Sequence, residues 1–275
     1  MPEPVLLVPS RGNLKKYWGG KERLQFLEVP MPALNMKLWD DDFDGDLFRG
    51  GAAPGVYQST ASGTSSATAA LVTTGADREN GCVLLDAGSD NAGRSDLSLG
   101  MHYQANRNCV IAVRLKMSAI TSVKVEIGFT DVLSGTDAGA LNVKATPTFN
   151  ATDCAVWSID TNDNTNWEGV AAATGDTTPA TTVEAAISPT ADTFEWMIVA
   201  LREYDSTNNL AAAKYIRADA NGGVTFESAW QTATATGAIS SNVLLTPWVF
   251  VQNRSGTQRT CTIDRLIVWQ RRTGS

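Results

Sequence analysis

Two neighbouring segments in the middle of the chain alternate strictly between apolar and polar positions. Large apolar side chains occupy every second position from Ile111 to Met117 and again from Val123 to Phe129. Alternation places successive side chains on opposite faces of a β-strand. The connection Ser118–Ser122 is short and consists mostly of small residues. The pattern therefore predicts an antiparallel hairpin with one buried face, and the rest of the chain must supply the facing sheet because an isolated hairpin is barely stable in water.

The C-terminal part of the chain supplies further strands. Trp248–Val251 is an apolar run of residues that favour strands, and Asn253–Gly256 is a polar turn. In the last strand the apolar positions change parity around Asp264–Arg265, which predicts a β-bulge or a stretch buried on both faces. Turn signals recur regularly along the remaining chain. Together these features predict a jelly-roll-like sandwich of about a dozen antiparallel strands with little helix.

Residues 1–38 lack this regularity and are predicted to form an extended N-terminal arm, with residues 39–275 as the sandwich. The arm holds five of the ten prolines, which exclude a long regular element. Its apolar content is too high for a solvated tail, and residues 1–30 carry five basic against three acidic side chains. We expect it to dock on a partner, with Lys15, Lys16, Tyr17, Trp18, Lys21 and Phe26 as the contact residues. The alternative is that the arm packs across its own sandwich.

Composition narrows the function classes. The net charge of −7 argues against nucleic-acid binding, which needs a basic face. No stretch approaches the roughly 18 apolar residues of a membrane span, and the N-terminal apolar run is too short for a secretory signal. We therefore expect no membrane contact and assembly in a cytoplasm. The four scattered cysteines should be buried free thiols: Cys82, Cys109, Cys154 and Cys261.

Four segments carry a resemblance to known proteins. They are Asp41–Gly45, Glu126–Asp131, Asn166–Val170 and Pro247–Gln270. In order and spacing they resemble structural proteins of tailed bacteriophages that contain a concanavalin A-like sandwich. The closing strand is also similar to the last strand of laminarinase-type glucanases. The resemblance implies an all-β, concanavalin A-like jelly-roll sandwich that follows the extended arm.

The same resemblance implies a non-enzymatic structural protein of a virion. The first expectation is a capsid decoration protein that attaches through its arm to the major capsid protein or to other virion subunits. It would form a homo-oligomer on a particle assembled in the host cytoplasm. A tail-associated or fibre-base subunit is the alternative.

The sequence offers no catalytic set. The glucanase pattern places its two carboxylates on one strand as E-x-D-x-E or a close variant, because positions two apart share a face. Glu126 and Asp131 are five positions apart and fall on opposite faces, and no third acid follows Glu203 and Asp205. The single histidine, His102, has no identifiable catalytic partner nearby in the sequence. Glycoside hydrolysis is therefore the least expected function, and we predict that the chain is not an enzyme.

Carbohydrate binding without catalysis stays open as a further alternative. Sandwiches of this type often hold sugars against exposed aromatic rings. Trp157, Trp167 and Trp230 are the candidates for contact with a cell-surface glycan. Large aromatic residues in sandwiches are, however, more often part of the core.

An acidic run at the start of the sandwich raises the question of calcium. Asp42, Asp44 and Asp46 bring carboxylates close together, and calcium prefers clustered oxygens. Their spacing is not that of an EF-hand loop, so a solvated acidic turn is the simpler interpretation. No other cofactor is expected.

Overall fold

The computed structural model describes residues 36–41, 43, 57, 59, 61–63, 67–72, 81–132, 139–145, 148–173, 183–185, 188–232 and 238–271. Within these ranges the regular elements are β-strands, apart from one 3-10 turn at Ala105–Arg107. All pairings between the strands are antiparallel. No helix in the described ranges is long and apolar enough to cross a membrane.

Two large sheets form the molecule. The nine-stranded sheet consists of β1 (Met36–Asp41), β3 (Thr68–Leu71), β4 (Val83–Asp86), β6 (Val110–Met117), β13 (Glu195–Asp205), β14 (Leu210–Ala218), β15 (Val224–Glu227), β16 (Ala238–Ser240) and β18 (Thr260–Arg271). The seven-stranded sheet consists of β2 (Ala61–Ser62), β5 (Arg94–Ser98), β7 (Val123–Thr130), β10 (Cys154–Asp160), β11 (Asn164–Ala172), β12 (Val183–Ala185) and β17 (Thr246–Asn253). A small hairpin is formed by β8 (Leu141–Val143) and β9 (Thr148–Phe149).

The strand order places β6 and β7 at the centres of their sheets. The nine-stranded sheet runs β15-β14-β13-β6-β18-β4-β3, with β1 also paired to β18 and β16 to β14. The seven-stranded sheet runs β12-β11-β10-β7-β17-β5-β2. The described chain therefore contains eighteen strands rather than about a dozen. The difference comes from short strands such as β2 and β9, which are too short to produce a recognisable alternation.

The predicted hairpin between β6 and β7 is wrong. β6 pairs with β13 and β18, whereas β7 pairs with β10 and β17 in the other sheet. The connection 118–122 thus crosses from one sheet to the other, and Ser122 turns the chain with φ of 52°. The alternation correctly predicted the apolar faces of β6 and β7 that oppose each other across the core. It did not predict that the other face of β7 is buried as well.

The inner faces of the two sheets form the main core. Two rows of four residues, all of them at most 1% exposed, supply its centre: Ile111, Val113, Leu115 and Met117 from β6, and Val123, Val125, Ile127 and Phe129 from β7. β13, β14, β18, β10 and β17 extend the same layer on either side. This confirms the faces predicted from the alternation. All four cysteines are buried and free, as predicted.

Two further sequence predictions can be compared with the strands. The register of β18 against β6 shifts between Ile263 and Arg265, which confirms the predicted bulge. β1 begins at Met36 and pairs with β18 as far as Asp41. The last three residues assigned to the arm therefore already belong to a sheet, so the predicted boundary at residue 39 lies too late in the chain.

The outer faces of both sheets are also apolar. On the seven-stranded sheet, a cluster containing Val156, Trp248 and Phe250 is buried together with Ala140 and Leu141 of the segment 139–151, which we call the covering segment. On the nine-stranded sheet, a second cluster is buried as well, and Trp230 packs against it. Its members are Val110, Ala112, Trp196, Ile198, Ala200, Ile216, Ala218, Ile267 and Trp269.

Candidate functional site

Glu126 is the acid that the glucanase comparison singles out, and it lies in the middle of β7 on the outer face of the seven-stranded sheet. Its side chain is fully buried. Oε2 accepts a hydrogen bond of 2.6 Å from the Ala140 N–H, and Oε1 accepts one of 3.1 Å from the Leu141 N–H. Both donors belong to the covering segment. A substrate has no access to this carboxylate, which instead fixes the covering segment on the sheet.

Lys124 completes this arrangement. Its Nζ lies 2.8 Å from Glu126 Oε1, and both side chains are 0% exposed. The same ammonium donates a hydrogen bond to the carbonyl oxygen of Leu141. Gly139 leads into the segment with φ of +97°, and a Cβ there would lie 2.6 Å from Glu126 Oε2. Only glycine therefore allows the backbone to approach the carboxylate this closely.

The other candidate acids do not form a catalytic pair with Glu126. Asp131 is half-buried at the end of β7, where burial raises its pKa and its Oδ1 accepts a hydrogen bond from the Thr152 N–H. Glu203 is exposed on β13. Asp205 caps the turn after β13, and hydrogen bonds from Asn208 and Thr207 lower its pKa. Asp131 and Asp205 are thus used in hydrogen bonds to neighbouring loop residues.

Trp157 and Trp167 are core residues, so their assignment to a sugar site is wrong. Both are 0% exposed. Trp157 Nε1 donates across the core to the carbonyl oxygens of Ile198 and Ile216, at 3.0 and 3.2 Å. Trp167 Nε1 donates to Glu195 Oε1 at 2.8 Å. Ring faces and donors are both in use inside the sandwich, so neither residue can stack on a glycan.

Trp230 is the one predicted tryptophan that reaches the surface. It is half-buried and packs against the apolar cluster on the outer face of the nine-stranded sheet. The Arg202 guanidinium lies 4.1 Å from the ring centre, and Lys214 Nζ lies 5.8 Å from it. The indole Nε1 is buried without a hydrogen-bond partner. Trp230 is therefore partly accessible, and its role in glycan contact stays a prediction.

The register explains how these side chains come together. Gln231 bridges to Ala213, so Trp230 lies next to Lys214, which in turn is paired with Ala200 of β13. Alternation then places Arg202 and Lys214 on the same face of the sheet. Lys214 also forms an ion pair with Glu227. We call Arg202, Lys214, Glu227 and Trp230 the Trp230 surface.

The remaining predicted site residues lie outside the described chain. These are Lys15, Lys16, Tyr17, Trp18, Lys21 and Phe26 of the arm, and Asp42, Asp44 and Asp46 of the calcium hypothesis. Within the described ranges, no group of three or more histidine, cysteine, aspartate or glutamate side chains is arranged to hold a metal ion. The calcium and arm hypotheses therefore stay predictions.

Comparison with known proteins identifies the fold. No protein-family model matches the chain, and no curated protein matches it in sequence. A solved structure of a protein of unknown function from Shewanella oneidensis MR-1 is similar over 88% of this chain and 90% of its own, with a TM-score of 0.57 and 14% identity. Peanut lectin is similar over 87% of this chain and 99% of its own, with a TM-score of 0.54 and 9% identity.

A third similar structure is that of a protein described as a pseudo-glucanase. It is an immunostimulatory antigen and pseudo beta-1,3-glucanase of Mycobacterium tuberculosis, similar over 84% of this chain and 98% of its own, with a TM-score of 0.50 and 12% identity. The fold is concanavalin A-like. This confirms the fold class predicted from the sequence. At these identities the likeness establishes the concanavalin A-like fold and not a shared activity.

Sequence reasoning missed the Lys124–Glu126 pair. The two charges alternate with the apolar residues of β7 and were therefore interpreted as a solvated face. A weak signal was present, because β7 was predicted to be central and two opposite charges stand two positions apart on it. The covering segment that buries them lies more than ten positions further along the chain and has no distinctive pattern of its own.

Proposed function

We propose that this chain is a non-enzymatic structural protein of a tailed-bacteriophage particle, in which a concanavalin A-like sandwich is attached to the capsid through the N-terminal arm. The observation that carries the non-enzymatic part is the enclosure of Glu126. The strand that would provide a glucanase with its carboxylates here provides a buried ion pair that holds the covering segment. An enclosed carboxylate at this position is suited to a structural rather than a catalytic role.

The virion part of the proposal rests on the resemblance of the four segments. In the structure, Glu126–Asp131 ends β7, Asn166–Val170 lies in β11, and Pro247–Gln270 contains most of β17 and β18. In the opening segment, Asp41 Oδ2 accepts a hydrogen bond of 2.6 Å from the Tyr57 hydroxyl. Three of the four resembling segments thus lie in strands of the two large sheets, and β7, β17 and β18 are among the inner strands. A decoration protein is our first choice and a tail-associated subunit the second.

Deletion of residues 1–35 tests the attachment. Because β1 begins at Met36, this deletion leaves every described strand intact. We expect the shortened protein to keep a cooperative thermal transition but to lose co-sedimentation with particles of the phage that encodes it. Replacing Tyr17 and Trp18 by alanine should weaken binding at every salt concentration, whereas serine at Lys15, Lys16 and Lys21 should weaken it mainly at low salt.

Other outcomes of the deletion would contradict the proposal. Undiminished co-sedimentation of the shortened protein would place the attachment in the sandwich. A protein that aggregates without residues 1–35 would show that the arm packs on its own sandwich. Electron microscopy of particles labelled on this protein then distinguishes a position on the head from one on the tail.

Carbohydrate binding is the second candidate function, and the Trp230 surface favours it. The ring is partly exposed, and the half-buried Arg202 guanidinium lies beside it, 4.1 Å from the ring centre. Aromatic rings and arginine forks together suit the apolar faces and acidic groups of sugars. The proposed binding is incidental to attachment, and it would let the particle contact a cell-surface glycan.

Replacing Trp230 by alanine tests this candidate. We expect the purified wild-type chain to bind a subset of glycans on an array, and the variant to lose at least about tenfold in affinity, as one lost stacking contact of roughly 1.4 kcal/mol would produce. Leu244→Ala is the matched control, because Leu244 is an exposed apolar residue, 49% accessible, outside the Trp230 surface. Equal glycan binding by the Trp230 variant and the wild type would exclude the Trp230 surface as the glycan-binding site.

A further inference from the structure

Lys144 is a buried lysine that the proposed function does not use. It follows β8 in the covering segment, and its side chain is 0% exposed. Its Nζ lies 2.8 Å from Asn164 Oδ1 and 3.1 Å from the backbone carbonyl oxygen of Asn166. It also lies 3.2 Å from Glu168 Oε1 and 3.6 Å from Asp163 Oδ2. One ammonium group is therefore surrounded by four oxygens, which we call the oxygen cage.

The oxygen cage is built by the β10–β11 turn and the first residues of β11. Its ligands are two carboxylates, one side-chain amide oxygen and one backbone carbonyl, which is the set that hard cations such as calcium prefer. Asn164 Nδ2 donates to Asp163 Oδ2 and Glu168 Oε1, at 3.0 and 2.7 Å, and so orients both carboxylates. The cage is thus held in place by contacts that do not involve Lys144.

The charges of the oxygen cage do not balance. Asp163 and Glu168 bring two negative charges, and Lys144 brings one positive charge. The buried Lys124–Glu126 ion pair differs, because one carboxylate lies 2.8 Å from one ammonium in that pair. A divalent cation would neutralise the oxygen cage at Lys144 completely. The Asp163 side chain is 24% exposed, so the cage also has an opening to solvent through which an ion could enter.

We propose that the oxygen cage is a calcium-type cation site in which the Lys144 ammonium takes the place of the metal ion. The Lys144 ammonium joins the covering segment to the β10–β11 turn, so the fold needs no metal ion at this position. Removal of the amine opens the site to a hard divalent cation. Asp163, Asn164, Glu168 and the carbonyl of Asn166 are its ligands.

The test compares two replacements of Lys144 in the full chain. Lys144→Ala removes the ammonium and leaves space, whereas Lys144→Met fills most of the space without a charge. With EDTA, both variants should melt below the wild type. At about 5 mM CaCl2, above the dissociation constants of weak calcium sites, the Tm of Lys144→Ala should rise by about 5 °C or more. The Tm values of the wild type and of Lys144→Met should not change.

Calorimetric titration with CaCl2 supplies the second readout. Lys144→Ala should bind calcium at a single site, and the added change Glu168→Gln should weaken that binding at least about tenfold. Lys124→Ala leaves the oxygen cage and its ammonium unchanged, so it should gain no calcium site there. Absence of calcium binding by folded Lys144→Ala overturns the inference. So does a Lys144→Ala chain that stays unfolded at about 5 mM CaCl2, because an ion that fits the cage would restore the fold.

Discussion

Replacing Glu126 by alanine should lower the free energy of unfolding by about 3–5 kcal/mol, which is the cost of breaking a buried ion pair from one side. The change removes the carboxylate that lies 2.8 Å from the Lys124 ammonium, at a position that is 0% exposed. It also removes the acceptor of two backbone N–H groups, those of Ala140 and Leu141. Urea denaturation followed by tryptophan fluorescence measures the loss.

The matched control removes both charges together. The double variant Lys124→Met, Glu126→Leu removes both charges of this pair. It should therefore be clearly more stable than Glu126→Ala despite the additional substitution. The two orphaned N–H groups remain, and therefore full wild-type stability is not expected. If Glu126→Ala unfolds at the same urea concentration as the wild type, Glu126 does not fix the covering segment in solution.

The alternation along β6 and β7 predicted the core but not the connection between the strands. Two apolar faces can be buried in either of two ways: side by side in one sheet, or opposite each other in two sheets. The sequence pattern of both strands is the same in the two cases. A five-residue connection such as 118–122 is long enough for either arrangement. What decides is the pairing with β13, β18, β10 and β17, and that information is spread over the whole chain.

The candidate site was less predictable than the fold, and the tryptophans show why. Along β10, Cys154 and Val156 belong to the outer cluster, whereas Ala155, Trp157 and Ile159 belong to the inner core. When both faces of a strand are buried, apolar residues stand at both parities and the pattern no longer tells which face is exposed. Trp230 lies outside any named strand and packs on a sheet edge, and its partial exposure follows from the nearby Arg202 and Lys214 rather than from its own sequence neighbours.

Replacing Trp157 by alanine should cost about 3–5 kcal/mol, because the change removes a large, fully buried side chain and leaves a cavity. The indole ring stands between the two sheets, in edge-to-face contact with Tyr215 and Phe226, at centroid distances of 5.4 and 5.7 Å. Differential scanning calorimetry or urea denaturation measures the effect. A loss below about 1 kcal/mol would contradict a core position for Trp157.

The variant Trp157→Phe distinguishes the contribution of the indole hydrogen bonds to stability from the contribution of the packing of the ring. Phenylalanine keeps much of the apolar volume, but it cannot donate to the carbonyl oxygens of Ile198 and Ile216. Those carbonyls belong to β13 and β14 of the opposite sheet, so the indole N–H links the two layers directly. The single indole N–H, shared between the two carbonyl oxygens, contributes about 0.5–1.5 kcal/mol net, and we expect Trp157→Phe to lie between Trp157→Ala and the wild type. If the two variants are equally unstable, the hydrogen bonds between the sheets and not the ring volume hold this part of the sandwich together.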